Sequence, residues 1–154
     1  MSKIIVITGA SSGIVLELTK ICLAHNWWVY NVSRRPTCLK GIRMINVYCD
    51  LNQPFTTIQD SLKPILSLEK IDYLVNNAGV YFLNELEYLT IDQIEALIRV
   101  NLLATIYLTK LILPKFKQQN FGTILNVASA AGTPFGDKSG ESVYMAAKYG
   151  VAGL

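Results

Sequence analysis

Tyr144 and Lys148 stand four residues apart in Ser142-Val143-Tyr144-Met145-Ala146-Ala147-Lys148. On a helix that spacing puts both side chains on one face, one turn apart. An ammonium beside a phenol favours phenolate and draws its pKa down from ~10 toward neutrality. A phenol so tuned can give a proton to a carbonyl oxygen or take one from an alcohol. A plain amphipathic helix would show the same spacing, so the pair needs partners. Ser129 directly follows an apolar run at 122–128, where its hydroxyl can hold a substrate oxygen beside the tyrosine. Asn101 lies inside a long helical stretch, a poor place for Asn unless packing or function requires it. Asn76-Asn77-Ala78-Gly79 closes another short apolar run.

A second chemistry sits near the N-terminus. Thr8-Gly9-Ala10-Ser11-Ser12-Gly13-Ile14 joins a β-branched run to a helical stretch. Small residues there let backbone N–H groups approach a pyrophosphate, which the positive helix end then stabilises. Tight turns use glycine for purely local reasons too, so position in the first strand–helix turn decides the reading. Val15 occupies the place of a third glycine, and its side chain must displace the helix or meet a compensating gap. The cofactor ribose should be read ~20 residues on, at the end of the second strand. That place holds Ser33 and Arg34 and no carboxylate, a pair suited to a 2′-phosphate. A solvated arginine pair with Arg35 is the plain alternative; the pattern favours NADP(H) over NAD(H). Asp50, with Leu51 beside it, ends the third strand where it can bond an adenine amino group or cap a helix.

These residues need elements to carry them. Strands are expected at 4–8, 28–32, 43–48, 72–76 and 122–128. A helix over 13–25 should present Ile14, Leu18 and Ile21 on its apolar face, with His25 closing it and Asn26 left-handed at C′. Residues 54–68 read as a helix that Pro64 bends or breaks. Thr90 and Gln93 form a capping signature for a long helix over 91–118. A last helix starts near Ser142 and is still running at Leu154, after a loop containing Gly132, Pro134, Gly136 and Gly140. Alternating strands and helices make an α/β fold, a Rossmann-like doubly wound parallel sheet of about five strands. With no linker, repeat or low-complexity tract, residues 1–154 read as a single domain.

Composition agrees. Of 154 residues, 51% are hydrophobic and 16% charged, against ~25% charged in an average soluble domain. Such a chain buries faces on both sides of a sheet or keeps a surface for a partner, and is not disordered. The net charge of +3 is small and its only basic cluster is Arg34-Arg35, which argues against a nucleic-acid partner. The most apolar stretch, 96–113, is interrupted by Arg99, Asn101 and Lys110, which argues against a membrane span. The N-terminal apolar run is too short for an export signal, so a cytoplasmic location is expected. Cys22, Cys38, Cys49 and His25 lack metal-type spacing, and no metal site is expected.

In order, the 8–14 glycine segment, Asp50, Asn76 to Gly79, Asn101, Ser129, and Tyr144 with Lys148 resemble the short-chain dehydrogenase/reductase family across essentially the whole chain. The resemblance implies reversible interconversion of a carbonyl and an alcohol on a small molecule, with hydride transfer supplied by a nicotinamide cofactor. It makes Tyr144 the general acid/base and has Lys148 hold the nicotinamide ribose. Ser129 then orients the substrate oxygen, and Asn101 orders a water in a proton relay. It places Gly9, Ser11, Ser12, Gly13, Ile14, Ser33, Arg34, Asp50, Leu51, Asn77, Ala78 and Gly79 along the cofactor, and implies a homo-oligomer through helix 91–118. Three features depart from the pattern: Val15, a Ser129-to-Tyr144 interval of 15, and only six residues after Lys148. Family members continue into further strands and a substrate lid, so the fold reads as C-terminally incomplete. The alternative function is a truncated nucleotide-binding or interaction module without efficient catalysis.

Overall fold

The computed structural model describes residues 2–129 and 139–154. Five parallel strands form one sheet: β1 (Ile4–Thr8), β2 (Trp28–Ser33), β3 (Met44–Tyr48), β4 (Tyr73–Asn76) and β5 (Thr123–Asn126). Their order is β3-β2-β1-β4-β5, so the chain runs outward from β1 to one side and then crosses to the other. Between β1 and β4 the direction of winding reverses, and a crevice opens beyond the carboxyl ends of those strands. β1 is the most enclosed strand, with Val6 and Ile7 fully buried between its neighbours.

Helices cover both faces. α1 (Gly13–Ala24) packs on one side, where Val15 and Cys22 join Ile5, Ile7 and Val29 in one core cluster. α2 (Phe55–Ser61) and α3 (Lys63–Leu66) are separated at Leu62, with Pro64 in the first turn of α3 where its missing N–H costs nothing. α4 (Ile91–Ile98) opens on the expected capping box: the Thr90 hydroxyl accepts from Gln93 N–H and the Gln93 side chain accepts from Thr90 N–H. A π turn at Arg99–Leu103 leads into α5 (Ala104–Gln118). Taken by length and composition alone, Ile91–Gln118 is long and apolar enough to cross a membrane. Its Leu108, Ile112 and Phe116 are instead buried in the larger core cluster with Ile58, Leu62, Ile65 and Leu74. α6 (Ser142–Ala152) lies against the π turn, and a Cβ at Gly150 would stand 2.9 Å from Leu102.

Two expectations are corrected. The buried face of α1 is Val15, Thr19 and Cys22, whereas Ile14 is 81% exposed and Ile21 is also exposed. Thr19 serves as a core residue because its hydroxyl donates back to Val15 C=O at 2.7 Å. α6 closes at Ala152 and does not run to the last residue. Strand ends shift by one or two residues, and Asn26 takes the left-handed conformation expected of it, at φ 61°.

Candidate active site

A cleft of ≈ 490 Å³ lies at the carboxyl edge of the sheet, within the usual range of small-ligand sites. Its floor is the turn from β1 into α1. Gly9 and Gly13 have φ of +77° and +66°, conformations that favour glycine. At Gly9 space is also short, since a Cβ would sit 3.3 Å from Ala78 Cα. The neighbouring strands hold the turn in shape. Gly9 N–H donates to Val32 C=O at 3.0 Å, and Ala10 N–H donates to the Asn31 side chain at 3.0 Å. The Thr8 hydroxyl oxygen accepts from the N–H groups of Asn77 and Ala78, both at 2.9 Å. Ser11, Ser12, Gly13 and Ile14 line the cleft at the positive end of α1.

At one end the wall is made by Ser33, Arg34 and Arg35 from the end of β2, and by Cys49, Asp50 and Leu51 beyond β3. Both arginines are exposed, and the Ser33 hydroxyl donates to Arg35 C=O, which tightens their turn. The Asp50 carboxylate accepts from Asn52 N–H at 3.0 Å and from the Gln53 amide at 3.4 Å, so it caps the following turn while lining the cleft. Burial pushes the Cys49 thiol up to about 11, which leaves it protonated and a poor nucleophile.

At the other end stand Tyr144 and Lys148 on α6. Lys148 is only 5% exposed; its Nζ donates to Val127 C=O at 2.9 Å and lies 5.9 Å from the centre of the Tyr144 ring. Burial lowers its pKa from the ordinary lysine value. Tyr81 meets Tyr144 edge-on, with ring centres 5.1 Å apart. The wall continues through Val127 and Ala128, and Ser129 follows them beyond β5. Asn101 is buried in the π turn, its side chain accepting from Val80 N–H at 3.0 Å and donating to Val80 C=O at 2.9 Å. That reach depends on Gly79, where a Cβ would come within 2.7 Å of Asn101 Oδ1. Asn76 ties β4 to Asn126 of β5 at 2.9 Å and to Thr109 of α5 at 3.2 Å.

The cleft therefore gathers the glycine turn, Ser33, Arg34, Asp50, Leu51, Asn77, Ala78, Gly79, Tyr144 and Lys148 into one space. Asn101 acts on its wall through Val80. The expected loop residues Gly132, Pro134 and Gly136 lie outside the described residues. Sequence reasoning passed over Asn31 and Glu141. Asn31 had a signal, an amide in the middle of the apolar strand Trp-Val-Tyr-Asn-Val-Ser. Glu141 had none, because its partner Tyr81 is sixty positions away.

Residues 3–154 match the short chain dehydrogenase family. The chain belongs to the short-chain dehydrogenase/reductase family. It is similar to D-beta-hydroxybutyrate dehydrogenase of Rhizobium meliloti (strain 1021), 31% identical over 169 residues that cover 100% of this chain and 63% of the relative. Among solved structures it resembles 4-hydroxyisoleucine dehydrogenase complexed with NADH, at TM-score 0.88 and 29% identity, covering 99% of this chain and 66% of the other. It also resembles the closed form of serine dehydrogenase complexed with NADP+, at TM-score 0.79 and 26% identity, covering 95% and 61%. The chain spans less than two thirds of the length of each of these proteins.

For a member of this family the cleft has the features a dinucleotide needs. The left-handed glycines, the tight approach of Gly9 to Ala78 and the positive helix end beside them leave a narrow backbone turn whose shape and charge fit a phosphate, and which a Cβ at position 9 would crowd. Ile14 stands 81% exposed on the cleft wall, an apolar surface that a bound ring or ribose would cover.

Proposed function

We propose that this chain binds a nicotinamide dinucleotide and, as part of an oxidoreductase, interconverts a carbonyl and an alcohol. The observation that carries the reading is the single cleft running from the Gly9–Gly13 turn to Tyr144 and Lys148. The two ends are what a cofactor bound by its phosphates and reacting at its far ring requires. The reported NADH and NADP+ complexes of similar structures support the same cofactor class.

When bound, the cofactor supplies or accepts the hydride. The residues supply the rest. Tyr144 gives its phenol proton to the carbonyl oxygen in reduction and recovers one in oxidation. Lys148 holds the ribose hydroxyls, one helical turn from Tyr144. Ser129 orients the substrate oxygen. Asn101 orders a relay water, using its backbone because its side chain is committed to Val80. Arg34 takes the 2′-phosphate, with Arg35 beside it, so NADP(H) is preferred over NAD(H). Residues 1–154 act as one domain, and half-buried apolar side chains along helix 91–118 support self-association of the chain.

The test is NADPH oxidation with a panel of carbonyl compounds, together with NADPH and NADH binding by fluorescence titration. Tyr144→Phe should lower turnover by about 10²–10⁴-fold while leaving NADPH affinity within a few-fold. NADPH should bind more tightly than NADH. Binding without turnover by the unaltered chain selects the nucleotide-binding module, and absence of binding overturns both readings.

A further inference from the structure

We infer that Tyr81, held by Glu141, selects carbonyl substrates that carry a hydrogen-bond donor near the reacting carbon and rejects carboxylates. This deepens the proposed carbonyl–alcohol chemistry and rests on it.

Tyr81 lines the cleft, stands 49% exposed, and meets the Tyr144 ring edge-on at 5.1 Å. Its hydroxyl hydrogen is already spent, because it donates to Glu141 Oε1. A phenol oxygen in that state has only lone pairs left to offer, so it accepts and does not donate. Behind it Glu141 brings a negative charge, and its second oxygen, Oε2, is shut off from solvent with no partner among the described residues. The arrangement is braced on both sides. Asn84 N–H donates to Gly140 C=O at 3.0 Å, and the Ser139 hydroxyl donates to Glu85 Oε1 at 2.8 Å. Gly140, at φ +75°, would bring a Cβ within 3.3 Å of the Asn84 backbone, so the two segments close tightly.

Beside Tyr144 the cleft therefore presents an acceptor backed by a carboxylate. A hydroxyl or ammonium placed there gains a hydrogen bond, whereas a carboxylate meets lone pairs and like charge. Glu141 acts through Tyr81 and is a positioning residue; Tyr81 is the group that meets the substrate.

Two four-carbon ketones separate these cases, 4-hydroxy-2-butanone with a donor and acetoacetate with a carboxylate. Their binding to the NADP+-loaded protein by ligand-observed NMR needs no turnover, and steady-state reduction with NADPH gives a second readout. The hydroxyketone should bind at least about tenfold more tightly than acetoacetate. Tyr81→Phe and Glu141→Gln should each cut that ratio severalfold, and Glu141→Lys should reverse it. A purely structural role for Glu141 would weaken both ketones alike and leave the ratio unchanged, which overturns the inference. Equal binding by the unaltered protein, or binding of neither ketone, also overturns it. NADPH affinity measured on every variant reports folding, and its absence in the unaltered chain overturns the proposed function separately.

Discussion

Lys148 carries its ammonium into a place water hardly reaches, and that has a measurable sign. Its pKa lies below 10.5 in the folded protein because burial disfavours the charge. Between the folded and unfolded values the unfolded chain binds more protons, so stability rises with pH through that window and levels off above 10.5. Lys148→Met removes the titrating group. Urea unfolding at pH 7 and about pH 10 should show the unaltered protein gaining stability relative to the variant at the higher pH. A difference that does not change with pH would exclude this account. At this scale the sequence was legible where residues act through near neighbours, as with Tyr144 and Lys148 on one helix face. It was not legible where partners meet across the fold. Asn101 was expected to order a relay water, and only the folded chain reveals the two bonds of its side chain to Val80.

At the scale of elements, strand–helix alternation and the Thr90–Gln93 capping box were readable, since both depend on local pattern and local hydrogen bonds. The face of α1 was misread for a physical reason. Positions 14, 18 and 21 fit a helical stripe by side-chain type, but so do 15, 19 and 22 once Thr19 satisfies its own hydroxyl. The correction changes the meaning of Val15. It is 2% exposed and packs with Ile5, Ile7 and Ala10, filling space between helix and sheet where the family pattern has a glycine. Val15→Gly should therefore lower stability by about 3 kcal/mol, combining lost burial with the cost of glycine in a helix. Denaturant unfolding measures the loss, and NADPH titration of the same variant tests whether the valine restrains cofactor binding. Tighter binding with unchanged stability would show that Val15 only obstructs the turn.

At the scale of the molecule, strand–helix alternation implied a doubly wound parallel sheet, while the order β3-β2-β1-β4-β5 that brings the cleft's residues together is seen only in the structure. β1 and β4 lie at the centre, so the glycine turn and the Asn77–Gly79 segment are built on strands buried from both sides. β3 and β5 are the two outer strands among the described residues, with Tyr48 of β3 and Thr123 and Leu125 of β5 exposed. Outer strands make fewer contacts than central ones and open locally at lower free energy, β5 among them. Lys148 is hooked to Val127, just past the end of that strand. Backbone hydrogen exchange should therefore be faster at 45–48 and 123–126 than at 5–7 in β1. Exchange read by NMR or mass spectrometry checks this; equal protection in all five strands would exclude it. The hydrogen bond from Lys148 to Val127 thus staples α6 to the end of an outer strand, so that opening of β5 would release a buried ammonium to water.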